Sequence, residues 1–199
     1  MGKTRLEAFS DGVIAIIITI MVLELRAPHG TDLDALRELT PKFLTYVLSF
    51  IYLGIYWNNH HHLLHTVTTV TGGILWANLH LLFWLTLVPF ATGWMGENHF
   101  APLPTALYGV VLFFAGFAYY VLVNVIIAAQ GSRSKLAAAV GRDFKGKISI
   151  VIYLVGILFA FVSTAIAETL YVFVAMMWLV PDRRIERRTG DDLTGRTGD

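Results

Sequence analysis

Six stretches of this chain are apolar over the length that a bilayer demands: residues 9–25, 43–65, 74–95, 105–129, 148–163 and 166–180. A hydrocarbon core of roughly 30 Å takes about 20 apolar residues in helical form. Lipid offers no partner for a bare amide, so each span must satisfy its own backbone as a helix. The pattern predicts an all-α polytopic membrane protein with six transmembrane helices per subunit. The last two spans are short and meet at Ser163-Thr164-Ala165, which fits a tight hairpin or, alternatively, one long kinked helix. Of the 199 residues, 56% are hydrophobic and only 15% charged, with a mean hydropathy of +0.63. A soluble domain of this size has too little interior to hide that much apolar surface.

The formal net charge of +1 argues against a nucleic-acid partner. With no Cys, disulfides, thiolate metal sites and cysteine nucleophiles are excluded. The N-terminal run has a charged start and an apolar body, but residues 23–28 make a poor cleavage site, and Glu7 and Asp11 are foreign to a signal peptide. It is expected to be retained as the first helix. Between the first two spans, Leu33, Leu36 and Leu39 recur at helical spacing. Pro89 is placed to kink the third span. The chain then divides into a six-helix membrane domain, 1–182, and a polar tail, 183–199, expected to be disordered and cytoplasmic. With an even number of spans, twelve Lys and Arg fall on the side of the termini, against Arg26, Arg37 and Lys42 on the other. That bias predicts a multi-pass protein of the cell membrane with both termini cytoplasmic.

The first span is chemically unusual. Arg5, Glu7, Ser10 and Asp11 crowd its start, and residues 13–23 are then aliphatic apart from Thr19. Ile16, Thr19, Ile20 and Leu23 stand at i, i+3, i+4 and i+7 and so share one face. The stripe by itself also fits an ordinary packed or lipid-facing helix. Asp11 adds a constraint, because a carboxylate near hydrocarbon costs a few kcal/mol and normally faces protein or water. An interfacial place at the helix N-terminus, where the dipole favours it, is the plainer alternative.

Arg5-Leu6-Glu7-Ala8-Phe9-Ser10-Asp11-Gly12 resembles the RxxxFSDG signature of the transmembrane-protein-175 family, lysosomal-type potassium channels with bacterial relatives. The aliphatic run that follows, the six-span plan and the His, Asn and Trp of the second and third spans fit it too. The resemblance implies a bacterial single-repeat member, because one RxxxFSD string and no internal duplication are present, and hence a homotetramer. It implies a leak-like, potassium-selective channel in which the first helices line a central pore. A hydrophobic constriction, with no TVGYG-type filter, would form the narrowest point. Carried over by position, Ile16 is the bottleneck, Ile20 and Leu23 continue it, and Thr19 is the polar residue that assists potassium selection. Aliphatic rings gate by dewetting, and potassium sheds water more readily than sodium.

The second span ends in Tyr56-Trp57-Asn58-Asn59-His60-His61-His62-Leu63-Leu64-His65, and the third begins Trp76-Ala77-Asn78-Leu79-His80. Four histidines in six residues suggest metal, and His61 with His65, at i and i+4, are the weak candidates. The plainer account is a hydrogen-bonded network that supports the first helix. The family pattern implies such a network among Arg5, Phe9, Ser10, Asp11, His61, Trp76, Asn78 and His80. Which histidine meets Asp11 is open. Glu24 and Glu168 lie near the predicted outer side, where they attract cations or are simply solvated. The Trp and Tyr residues fit interfacial belts or helix packing.

The leading expectation is a potassium channel subunit whose partners are itself, lipid and the permeant potassium ion, with no cofactor. A proton-coupled transporter using Asp11 and the His cluster is the alternative, disfavoured because inverted repeats are missing. A metal-dependent enzyme using His60, His61, His62 and His65 has no second ligand cluster, nucleophile elbow or phosphate loop to support it, so an enzyme is not expected.

Overall fold

Helix α1 (Lys3–Leu23) starts six residues before the apolar stretch of the sequence, so the RxxxFSDG string lies inside the helix. In the computed structural model, residues 2–131, 136 and 144–179 are described. The expected tail, 183–199, its boundary at 182 and the cations Arg133, Lys135 and Arg142 lie outside them.

After α1 come α2 (Leu33–Glu38), α3 (Thr40–His65), α4 (Gly72–Thr86), α5 (Val88–Glu97), α6 (Pro102–Gln130), α7 (Phe144–Phe159) and α8 (Thr164–Leu179). The architecture is all-α, with no strand among the described residues. Lys3–Leu23, Gly72–Glu97 and Pro102–Gln130 have the length and hydropathy to cross a membrane, and Thr164–Leu179 is apolar but shorter. Helix α3 is 26 residues long, and its last turns, with Trp57, Asn58, Asn59 and the histidines, dilute its hydropathy.

Local chemistry sets the breaks. Pro89 divides the third span: α4 ends at Thr86, and α5 opens with the proline in its first turn, where its missing N–H costs nothing. The Asp32 side chain caps α2 through Ala35 N–H at 2.8 Å. Leu33 and Leu36 nevertheless stay exposed, so no part of the described chain covers the apolar side of this short helix. Gly131 ends α6 at φ +89°, a conformation that L side chains rarely adopt. The last two spans are separate helices: Val162 and Ser163 donate to the Phe159 carbonyl at 2.9 and 2.7 Å and close a turn three residues earlier than Ser163-Thr164-Ala165.

Helix α1 packs on α3, α4 and α5, while α6 is central and meets α4, α5, α7 and α8. Tyr52, Tyr108, Tyr153 and Tyr171 are all buried between α3, α6, α7 and α8, as helix packing and not as a belt. In lipid, helices associate through close packing and interhelical hydrogen bonds. Both occur here. Ser49 Oγ lies 2.6 Å from Thr92 Oγ1 and 2.9 Å from Tyr108 Oη, and the Tyr52 hydroxyl donates to the Tyr171 carbonyl. Tyr171 fills the space left by Gly109 and Gly156; a methyl on Gly109 would overlap its hydroxyl and stand 2.9 Å from Ile157 Cγ1. Gly109→Ala is expected to destabilise the bundle by about 1–3 kcal/mol through overpacking. Thermal unfolding in detergent measures this, and an unchanged midpoint would show that Tyr171 can move aside.

Candidate functional site

Five residues of α1 face its own bundle: Leu6, Ser10, Ile14, Ile17 and Met21, at i, i+4 and i+3 steps. The opposite side carries Ile16, Thr19, Ile20 and Leu23, all exposed; Ile16 is 58% and Leu23 74% accessible. Thus α1 presents an aliphatic stripe that nothing among the described residues covers. Thr19 donates its hydroxyl proton to the Ile16 carbonyl at 2.8 Å. A hydroxyl that donates in this way keeps its acceptor capacity, and Thr19 is exposed along this stripe.

The foot of α1 is tied down by polar contacts on two sides. Toward α4, Ser10 donates to the Leu6 carbonyl at 2.8 Å and accepts from Asn78 Nδ2 at 2.9 Å. Asn78 Oδ1 then lies 2.7 Å from His60 Nε2. The amide oxygen can only accept, so His60 carries its proton on Nε2. Ser10, His60 and Asn78 are all buried, and Ser10 Oγ, both ends of the Asn78 amide and His60 Nε2 are hydrogen-bonded.

Toward α3 the contacts run antiparallel. Lys3 Nζ donates to the His65 carbonyl at 2.7 Å, and Trp57 Nε1 donates to Asp11 Oδ1 at 3.1 Å. Lys3, Glu7 and Asp11 stand at i, i+4 and i+8 on α1, as do Trp57, His61 and His65 on α3. Glu7 lies 3.9 Å from Lys3.

The structure therefore brings Ser10 to Asn78 and Asp11 to Trp57. His61 turns to His65, with Nε2 atoms 3.1 Å apart, and His80 bonds Trp84 Nε1 at 3.1 Å. Arg5 and Phe9 are exposed, and Trp76 is 76% accessible, so none of the three enters the buried network. The support network expected from the sequence left out Trp57 and His60, the latter having been considered only as a metal ligand of the enzyme alternative. A usable signal was present: the matching i, i+4, i+8 spacing of two charged or aromatic rows. Among the described residues no three His, Asp or Glu side chains are placed to hold a metal ion, so His61 and His65 remain a pair.

Comparison with known proteins gives concordant results. The profile of the family described as endosomal/lysosomal potassium channel TMEM175 matches residues 5–89. A potassium channel of Chryseobacterium sp. (strain P1-3) is 57% identical over 187 residues, covering 94% of this chain and 97% of that protein. A potassium channel of Streptomyces collinus is 33% identical over 126 residues, covering 59% and 61%. The crystal structure of a lysosomal potassium-selective channel TMEM175 homolog from Chamaesiphon minutus superimposes with a TM-score of 0.78 at 25% identity, covering 90% of this chain and 97% of that one.

Proposed function

This chain belongs to the endosomal/lysosomal potassium channel TMEM175 family, and from that premise we propose that it is a potassium channel subunit with α1 as the wall of the conduction path. One observation carries the proposal: the stripe of Ile16, Thr19, Ile20 and Leu23 is exposed opposite the face by which α1 packs on its own bundle. An apolar stripe of this kind needs either lipid or copies of itself, and closed rotational symmetry supplies the copies. Four subunits would set four such stripes around an axis, with the Ile16 ring narrowest and the Ile20 and Leu23 rings beyond it. The Ser10–Asn78–His60 path and the α3 contacts hold the foot of α1 in place. Each subunit would contribute six spans, α1, α3, α4 with α5, α6, α7 and α8, with both termini on the cytoplasmic side of the cell membrane.

A ring of aliphatic side chains gives an ion no oxygen ligands, so passage requires partial dehydration, which is easier for potassium than for sodium. The acceptor capacity left on the Thr19 hydroxyl would replace part of the lost hydration. Thr19→Val keeps the shape and removes those acceptors. It is expected to lower potassium-over-sodium selectivity about threefold with unchanged assembly, the size of effect one modest hydrogen bond carries. Reversal potentials in bilayers measure it, and an unaltered ratio would take Thr19 out of ion selection.

The carrier alternative needs Asp11 and the imidazoles in one chain of hydrogen bonds. Asp11 bonds Trp57 and His61 bonds His65, and among the described residues no hydrogen bond joins the two pairs. Liposomes loaded with potassium separate the two functions. Passive efflux without proton countertransport fits the channel, and strict coupling to protons would refute it.

A further inference from the structure

The contacts between the foot of α1 and α3 keep a common register. Lys3 reaches the His65 carbonyl and Asp11 reaches Trp57, which sets the middle residues of the two rows, Glu7 and His61, opposite one another. Two features of this middle rung are unused by the buried network of Ser10, Asn78 and His60. His61 Nε2 and His65 Nε2 face each other at 3.1 Å. Glu7 Oε1 is buried without a hydrogen-bond partner, and Lys3 Nζ stands off from it at 3.9 Å. A buried carboxylate oxygen left without a donor is costly, so a ligand that brings one is favoured there.

We propose that His61 and His65 bind a divalent transition-metal ion of the zinc class, with Glu7 supporting the site from α1 through a metal-bound water. Two nitrogens on one tetrahedral zinc ion stand about 3.3 Å apart, so the pair already has the required bite. In the neutral pair one Nε2 carries the hydrogen that the other accepts. When the ion takes both Nε2 lone pairs, that hydrogen moves to Nδ1 of the same ring, and both imidazoles stay neutral. No third His, Asp or Glu is placed with the pair among the described residues, so water fills the remaining positions. One such water, reaching across the rung, gives Glu7 Oε1 the donor it lacks, as carboxylates just outside a metal's ligands commonly do. Charge and position agree. Lys3, Glu7 and Asp11 sum to −1 along the facing row, and the two histidines lie in the last turns of α3, whose C-terminal end favours a cation. Imidazole selects the class, because magnesium and calcium ions take oxygen ligands whereas zinc, nickel and copper ions take nitrogen. Glu7 stands nine residues, two and a half turns, from Ile16. The site therefore lies on the side of α1 opposite the exposed stripe and does not depend on what lines the pore. A bound ion adds a link between α1 and α3 and stabilises the fold by mass action.

The test uses the full-length protein in detergent, free of any polyhistidine tag, with zinc chloride as probe and magnesium chloride as the control. Calorimetric titration is expected to show saturable binding of one zinc ion per subunit, and zinc is expected to raise the melting midpoint. His65→Ala removes both effects; His65 is exposed at the end of α3 and its backbone carbonyl stays available to Lys3. His61→Ala, measured in parallel, does the same, so the result does not rest on one variant folding. Glu7→Gln weakens binding about tenfold, the low end of what loss of a supporting carboxylate costs. Zinc affinity equal to wild type in both histidine variants would overturn the site. A magnesium response matching that of zinc would overturn ligation by imidazole. Unchanged affinity in Glu7→Gln would overturn the link from α1.

Discussion

Ile16→Asn is expected to raise cation flux through the reconstituted channel and to erode potassium-over-sodium selectivity by about tenfold, equivalent to about 1.4 kcal/mol of differential barrier. The effect follows from the exposed stripe of α1. Ile16 is 58% accessible in the isolated subunit and has Thr19 one turn above it. An aliphatic ring at that level excludes water and makes an ion shed part of its shell. An amide in the same place supplies an oxygen from every subunit and wets the constriction, so sodium no longer meets the larger penalty. Bi-ionic reversal potentials give the ratio directly. Permeability ratios identical to wild type would remove Ile16 from the narrowest point. Ile16→Val, which keeps the ring aliphatic, should stay close to wild type in selectivity and so separates polarity from size.

The second large effect concerns the foot of α1. Asn78→Leu is expected to destabilise the subunit by about 2–4 kcal/mol, because it strands the His60 Nε2–H and the Ser10 acceptor in a buried site at about 1–2 kcal/mol each. Expression of folded channel and the detergent melting midpoint should both fall. Ser10→Ala alone should cost less, since Asn78 keeps its bond to His60. The double variant Ser10→Ala/Asn78→Leu should be milder than the sum of the singles, because the residues share one path. Strict additivity would contradict a continuous network. Membrane hydrogen bonds measured in this way often fall well below 1 kcal/mol, so a small value would place Ser10 and Asn78 among ordinary packing residues.

Much of the fold was legible in the sequence because lipid leaves a chain so few choices. The six apolar stretches correspond to helical segments, and Pro89 breaks the third of them as its ring requires. What escaped was set by rotation about the helix axis. Four histidines in six residues point in different directions around α3. The sequence pattern could not tell that His60 faces Asn78 while His61 faces His65. The tyrosines were ambiguous for a related reason: a phenol ring suits an interfacial belt or a core equally well. Only the bare backbone at Gly109 and Gly156 reveals that Tyr171 needed an interior slot. The exposed stripe of α1 was readable because its spacing is regular and its neighbours on the wheel are buried at the complementary spacing.

Among the described residues, the polar ties from α1 to other helices lie within its first three turns, at Lys3, Ser10 and Asp11. Beyond them the helix is held by aliphatic contacts, which resist sliding far less than hydrogen bonds resist stretching. Mechanically this is a lever with a fixed fulcrum. Leu23 stands 13 residues past Ser10, about 20 Å along the axis, so a tilt of about 5° at the foot carries the tip through about 1.7 Å. A change too small to break any tie at the foot is thereby magnified at Leu23 to the scale of a methyl group.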